Sequence, residues 1–439
     1  MNKTGIFDYY PVSDAGDKEN IFCVEAPKIK FGVGAINETG EDAKLLGIKR
    51  VGLFSDAFVS KTEAMGKMQD SLKKFGVEFE VYDTARVEPT DESFKTAAEF
   101  AKQGNFDGYI SLGGGSVIDT CKAANLYATY PDEFLAYVNA PVGHAKLVPG
   151  PLKPHIACPT TFGTASDCTG ITIFDFLEKK AKTGIISSAI RPVLSILDPE
   201  NLYTMPPMVI AANAFDVFSH ACESYTARPY TSRALPTTSA RRPLSQGANP
   251  YSDFSSLNAI RIVGDYLVRT IKDPTYKEGF QHLMFAGLLA GIGFGNAGCH
   301  IPHGMSYAVS GLVKDYQLDG WPDHPLVPHG ISVIVNSPAV FEETAPQSPD
   351  RHLLAAEYMG ADVKGASPDD AGKLLRDRLV ELMKDTGMPN GLSGVGYSEK
   401  DLDALVEGSY PQRRVLDNGP IEVDRPTLKR LFSNAMSYW

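Results

Sequence analysis

Tyr109-Ile-Ser-Leu-Gly113-Gly114-Gly115-Ser116, followed by the amphipathic stretch 117–129, is the segment on which the fold turns. A β-rich run passes through three glycines into a helical pattern. That order, strand then glycine turn then helix N-terminus, points backbone N–H groups outward, and the missing Cβ atoms let a pyrophosphate come close. The segment reads as a dinucleotide or phosphate site; the alternative is a tight turn that packs against its sheet.

Working outward, 51–54, 77–82, 109–112, 156–158 and 193–197 read as strands, with helical patterns at 60–75 and 92–103 between them. Such alternation implies a mostly parallel sheet with helices on its faces. Beyond Leu197-Asp-Pro199 the apolar spacing changes to 3.6 residues, at 209–225, 256–270, 279–293 and 371–386, so the second half reads as all-helical. Met205-Pro-Pro207 interrupts the pattern and sets the expected domains at 1–205 and 206–439. A literal G-x-G-x-x-G at Gly293, Gly295 and Gly298 follows a helical run and opens no strand-turn-helix unit, so close helix packing explains it better than a cofactor.

The chain has 439 residues and a formal charge of −11, which disfavours nucleic acid as a partner. No apolar run approaches the roughly 20 residues that span a bilayer, so no membrane partner is expected. The six cysteines are scattered without a Cys-x-x-Cys pair, excluding a disulfide framework or zinc ribbon. The first twenty residues set Lys3 and Lys18 against Asp8, Asp14, Asp17 and Glu19, unlike a transit or signal peptide; a cytoplasmic location is expected. One segment, 226–252, carries Arg228, Arg233, Arg241 and Arg242 with no Lys, Asp or Glu, and a loop of that length is functional or mobile.

Asp216 and His220 stand four apart in a helical pattern, so both project from one face. His303 lies in His300-Ile-Pro-His303-Gly, and His329 in Pro328-His329-Gly330. A carboxylate with three imidazoles suits Fe²⁺ or Zn²⁺ and leaves room for a substrate oxygen. Elsewhere, Asp56 follows the strand 51–54, where a carboxylate either accepts from ribose hydroxyls or caps a helix. Thr160 and Thr161, in Pro159-Thr-Thr-Phe-Gly-Thr-Ala-Ser166-Asp167, offer a second wall for a cofactor.

Taken together, Phe31-Gly-Val-Gly-Ala35, Gly113-Gly-Gly-Ser116 with Asp119, Pro159-Thr-Thr-x-Gly163-Thr, Asp216-x-x-x-His220-Ala-x-Glu223-x-Tyr225, Gly295-Asn-Ala297, His303-Gly-Met305 and Pro328-His-Gly330 resemble the iron-dependent (group III) alcohol dehydrogenase family, in its order. Within it, Val87-Glu-Pro-Thr-Asp91, Gly311-Leu-Val-Lys314 and Ser337-Pro-Ala-Val-Phe341 resemble the hydroxyacid-oxoacid transhydrogenase subgroup. The resemblance implies an α/β N-terminal nicotinamide-binding domain and an all-helical C-terminal metal-binding domain, in a dehydroquinate synthase-like architecture with the cofactor in the cleft. It implies metal ligands at Asp216, His220, His303 and His329. It also implies NAD contacts at Asp56, Gly113, Gly114, Gly115, Ser116, Asp119, Thr160, Thr161 and Lys182. The cofactors are then NAD and Fe²⁺, with Zn²⁺ the alternative ion, and the assembly is a homo-oligomer, a dimer.

The subgroup passes a hydride from 4-hydroxybutyrate to 2-oxoglutarate, so the substrates are small carboxylates, which the positive segment 226–252 would help to grip. The alternatives are an ordinary NAD-dependent alcohol dehydrogenase or aldehyde reductase, a lyase of the dehydroquinate synthase type, and a non-catalytic metal protein. Two departures from the family pattern stand out. Tyr307 occupies the place of a further histidine, and Ala165-Ser166-Asp167 replaces the usual Gly-Ser-Glu. Tyr307 and His300 are therefore the candidate proton relays, with a capping role the alternative for His300.

Overall fold

A computed structural model describes residues 6–14, 16–178, 181–318 and 324–439. Its sheet is built around β4 (Gly108–Gly113) and β5 (His155–Pro159), both buried along their full length. With β1 (Lys28–Phe31), β2 (Arg50–Phe54), β3 (Glu78–Tyr82) and β8 (Leu194–Leu197), they form a six-stranded sheet in the order β1-β8-β5-β4-β2-β3. Every pairing is parallel. The helices α1 (Thr39–Leu45), α2 (Glu63–Lys74), α3 (Asp91–Gln103) and α4 (Gly115–Thr129) cover it.

Central strands covered on both faces must be apolar throughout. Accordingly Val51, Leu53, Ile110, Leu112, Ile156 and Ile196 pack with Met68 and Leu72 of α2. Phe54 and Tyr109 pack with Val117 and Cys121 of α4 in a separate cluster.

Three strands escape the sequence reading. β1 is a four-residue edge, and β6 (Ile171–Phe176) pairs with β7 (Ala181–Ile186) in a separate antiparallel hairpin. β6 alternates half-buried and buried positions, and its inward Phe174 and Phe176 pack on Leu126 and Tyr127 of α4.

The second half holds α5 (Pro207–Thr226), α6 (Pro250–Lys272), α7 (Lys277–Ala297), α8 (Ile301–Gly311), α9 (His329–Ile334), α10 (Ser337–Thr344), α11 (Pro349–Tyr358), α12 (Ala371–Asp385), α13 (Leu402–Ser409), α14 (Arg413–Leu416) and α15 (Arg425–Asn434). α5 and α7 are buried nearly all round, as expected of helices apolar on every face. Gly293 lets α6 and α7 close on each other, since a Cβ there would meet Ser256 Oγ at 2.7 Å. Among the described residues no single helix is long and apolar enough to cross a membrane.

The chain divides into an α/β unit, Ala26–Met205, and a helical unit, Pro206–Trp439, and the stretch through Glu25 belongs to the helical one. This corrects the expected first domain of 1–205. The physical reason is aromatic packing and charge. Tyr10 and Phe22 stack around Tyr230, at 5.6 and 5.1 Å between ring centroids. Glu19, 4% exposed, accepts from Arg242 Nε at 2.9 Å. Lys3 lies outside the described residues.

Candidate metal centre and nucleotide cradle

In the helical unit, Asp216, His220 and Glu223 fall at i, i+4 and i+7 on α5, so all three project from one face. His303 comes from the first turn of α8 and His329 begins α9 directly after Pro328. Gly330 sets the approach of α9 to α5, because a Cβ there would lie 1.9 Å from the Ala212 carbonyl oxygen. His329 is thereby held against Asp216.

Around Asp216 Oδ1 stand His220 Nε2 at 3.8 Å, His303 Nε2 at 3.6 Å and His329 Nε2 at 3.6 Å. All four donor atoms lie within 4.8 Å of one another. Asp216 Oδ1 and His303 Nε2 are buried and make no hydrogen bond. Polar atoms do not converge unpaired in a buried site without something to bind, so this donor set fits a divalent cation. Burial works to raise the Asp216 carboxyl, yet the imidazoles of His220, His329 and His303 outweigh it and hold it well below the usual range. Burial lowers His220 to about 4, which keeps its ring neutral and able to ligate.

Glu223, quoted in the sequence motif but given no role there, supplies the next layer. Its Oε1 accepts from His303 Nδ1 at 2.6 Å, and Oε2 accepts from the His300 backbone N–H at 2.7 Å. With Nδ1 protonated toward Glu223, the Nε2 lone pair of His303 faces the cluster. The i+7 spacing from Asp216 was the signal that could have found it. Phe294 of α7 lies flat on the His220 ring, with centroids 3.9 Å apart and planes 8° apart; nothing in its spacing announced that contact.

The two relay candidates separate. His300 is fully buried and caps α8: its Nδ1 accepts from the Ile301 N–H at 2.7 Å, and Nε2 lies 2.9 Å from Thr226 Oγ1. Both ring nitrogens are engaged, which is the capping alternative. Tyr307 lies one turn beyond His303 on α8, and its hydroxyl accepts from Arg414 Nη2 at 3.5 Å.

In the α/β unit, Gly113, Gly114 and Gly115 carry β4 into α4, and no side chain caps that N-terminus. A Cβ on Gly115 would meet Thr164 Oγ1 at 2.6 Å, and one on Gly114 would press on Thr161 at 3.3 Å. The Thr160 N–H donates to the Gly113 oxygen at 3.0 Å, so the double threonine forms a wall beside the turn. Uncapped first-turn N–H groups behind a glycine turn fit a phosphate.

Other nucleotide candidates have structural partners. Asp56 Oδ1 accepts from the Phe58 and Val59 N–H groups at 2.9 and 2.8 Å, the capping geometry. Asp119 is buried and ties α4 to β6, through Ser166 and the Ile173 N–H. Lys182 is ion-paired to Glu88 and Asp175; burial works to lower its pKa, but the two carboxylates outweigh that and hold it up. Ser116 Oγ accepts from the Glu88 N–H at 3.2 Å, linking that pair to the turn.

Comparisons with known proteins agree with this geometry. Residues 26–199 match the family described as iron-containing alcohol dehydrogenase, and residues 244–436 match the C-terminal part of the Fe-containing alcohol dehydrogenase family. The chain is 48% identical to the mitochondrial hydroxyacid-oxoacid transhydrogenase of Rattus norvegicus, over 95% of this chain and 90% of that protein. It is 49% identical to the Bos taurus protein of the same name, over 94% and 89%. Among solved structures, a 1,3-propanediol oxidoreductase superposes with a TM-score of 0.83 at 26% identity, covering 95% of this chain and all of that one. An alcohol dehydrogenase from Oenococcus oeni gives 0.83 at 25% identity, covering 94% and 100%.

Those relatives are named as mitochondrial, which overturns the expected cytoplasmic location. Of the acidic residues near the start of the chain, Glu19 is buried in the helical unit and paired with Arg242, while Asp8, Asp14 and Asp17 are exposed. The chain belongs to the iron-containing alcohol dehydrogenase family, and that membership makes it an oxidoreductase and implies a nicotinamide and a divalent metal.

Proposed function

We propose that the protein moves a hydride between two small acids, oxidising 4-hydroxybutyrate to succinate semialdehyde while reducing 2-oxoglutarate to 2-hydroxyglutarate. The observation that carries this reading is the convergence of Asp216, His220, His303 and His329. It is supported by a chain nearly half identical to proteins named hydroxyacid-oxoacid transhydrogenase. The four donors would hold Fe²⁺, and their chemistry also admits Zn²⁺. When bound, the cation supplies Lewis-acid polarisation of a substrate oxygen, and the nicotinamide supplies the hydride acceptor and donor.

The chain's own residues do the rest. Glu223 fixes the tautomer of His303, and Phe294 covers the outer face of the His220 ring and keeps water from it. The N–H groups of Gly115 and Ser116 receive the nucleotide's phosphates beside the wall of Thr160 and Thr161, and Asp56, whose Oδ1 caps the turn at Phe58 and Val59, accepts from the ribose hydroxyls through its other oxygen. Asp119 and Lys182 act on that site by bracing the β6–β7 hairpin. Tyr307 relays the substrate's hydroxyl proton, oriented by Arg414. A dimer that retains its nicotinamide between turnovers completes the proposal.

The test is a mixed-substrate assay on metal-loaded protein with no added cofactor, following 2-hydroxyglutarate. Formation that requires both 4-hydroxybutyrate and 2-oxoglutarate supports the reading. Activity only when NAD is added, with the alcohol alone, overturns it in favour of an ordinary dehydrogenase.

A further inference from the structure

The segment 226–252 carries four arginines and no acidic residue. Two are turned onto fixed partners: Arg242 Nε donates to Glu19 Oε2 at 2.9 Å, and Arg233 donates to the Ser245 carbonyl oxygen. With Arg241 and Gln246 these groups line a cavity of about 260 Å³. None of the four metal donors lines it.

The cavity is built, not a fluctuating loop. The Gln246 and Gly247 N–H groups donate to the carbonyl oxygens of Asn296 and Ala297, at 2.9 and 2.8 Å. The Gln246 side chain bridges both backbone groups of Cys23, accepting at 2.8 Å and donating at 2.9 Å. The wall at Gln246 is therefore held in one geometry.

The charges on those walls do not balance. Three guanidinium groups face a single carboxylate, that of Glu19. Arg228 adds to the excess, and its buried Nε makes no hydrogen bond. Burial first, and the charge of Arg228 second, pull Arg233 down to about 10. Positive charge held together against its own repulsion, and partly out of water, calls for an anion. Guanidinium forks match carboxylate and phosphate oxygens in pairs.

We infer that this cavity is a binding site for one compact dianion, a dicarboxylate or inorganic phosphate, separate from the metal centre. The wall that Gln246 contributes is bonded to the last turn of α7, two residues beyond the Phe294 that covers His220. Occupancy is thus tied to an element that touches a metal ligand.

The test is calorimetric titration of the metal-loaded protein with succinate and, separately, with inorganic phosphate, at low ionic strength. Succinate carries no hydroxyl or keto group and is not turned over, and any binding it shows at the substrate site would be untouched by substitution of Arg241, which lines only this cavity, so the two sites are told apart. The expected result is saturable binding of one ion per chain. Arg241 is exposed, so its replacement spares the fold; Arg241→Ala should weaken binding about tenfold and Arg241→Glu should remove it. Tighter binding of succinate identifies a dicarboxylate ligand, and tighter binding of phosphate a phosphate ligand. Absence of saturable binding for both ions overturns the inference, as does an affinity unchanged in Arg241→Ala and Arg241→Glu.

Discussion

The two units build their sites from different materials. The α/β unit uses backbone: three glycines, uncapped N–H groups and a threonine wall, where an added Cβ is the main hazard. The helical unit uses side chains: four donors from three helices, with Glu223 behind them to fix orientation. A backbone site fails by steric intrusion and a side-chain site by loss of a donor atom. Their mutational signatures should therefore separate.

The largest effect is expected at Asp216→Ala. It removes the carboxylate that faces all three imidazoles, and loss of several kcal/mol of charge stabilisation corresponds to a fall in turnover on the order of a thousandfold. Metal analysis should show the ion lost while circular dichroism stays native. Retained metal and turnover would break the side-chain half of the comparison.

Acid should act on both units by the same physics. Burial lowers His155 of the α/β unit to about 3 and His352 of the helical unit to about 4. Each stays neutral when folded and takes a proton near 6.5 when unfolded. Stability is thus complete above about pH 6.5 and falls as pH drops toward the folded values, by on the order of 3 kcal/mol per histidine. Hydrogen exchange between pH 7.5 and 4.5 reads each unit separately. His220 and His300 share this behaviour in the helical unit, so His352→Gln, which can still bond Thr344 and Ser348, should reduce that unit's response by about a third and leave that of the α/β unit; an unchanged response assigns the acid sensitivity elsewhere.

Glu223→Gln should weaken metal affinity by about 10- to 100-fold, with turnover returning at high metal concentration. In the other unit, Gly115→Ala should weaken nucleotide binding about tenfold and leave metal affinity alone, because overpacking the turn against Thr164 costs about 1–3 kcal/mol. Equal effects of both substitutions on both ligands would erase the distinction between the sites. Smallest is Ala165→Gly. Ala165 sits at φ 46°, a left-handed conformation that disfavours a side chain, so glycine should stabilise the α/β unit by about 1 kcal/mol in denaturant unfolding.

Ala165 also shows what sequence reading can reach. The departure from a glycine pattern was visible in the residues, but its cost needed the backbone angle. Asp216 and His220 were legible because a helix converts a spacing of four into a shared face, whereas the arrival of His303 and His329 depends on how α8 and α9 approach α5. His300 offered two readings, and only the engagement of both nitrogens chooses the cap. The β6–β7 hairpin and the aromatic packing of Tyr10 and Phe22 went unread for a common reason. Each is stabilised by partners distant in sequence, α4 in one case and Tyr230 in the other.

Gly330 bears on engineering. With the Ala212 carbonyl only 1.9 Å from where a Cβ would stand, α9 already rests on α5 at backbone contact. A designer seeking to convert the centre to another metal cannot draw His329 closer, and any side chain at 330 pushes it away. Donor replacement is then the one adjustable parameter at that corner: carboxylate for imidazole at 329 changes ligand hardness with the interhelical distance left as it is.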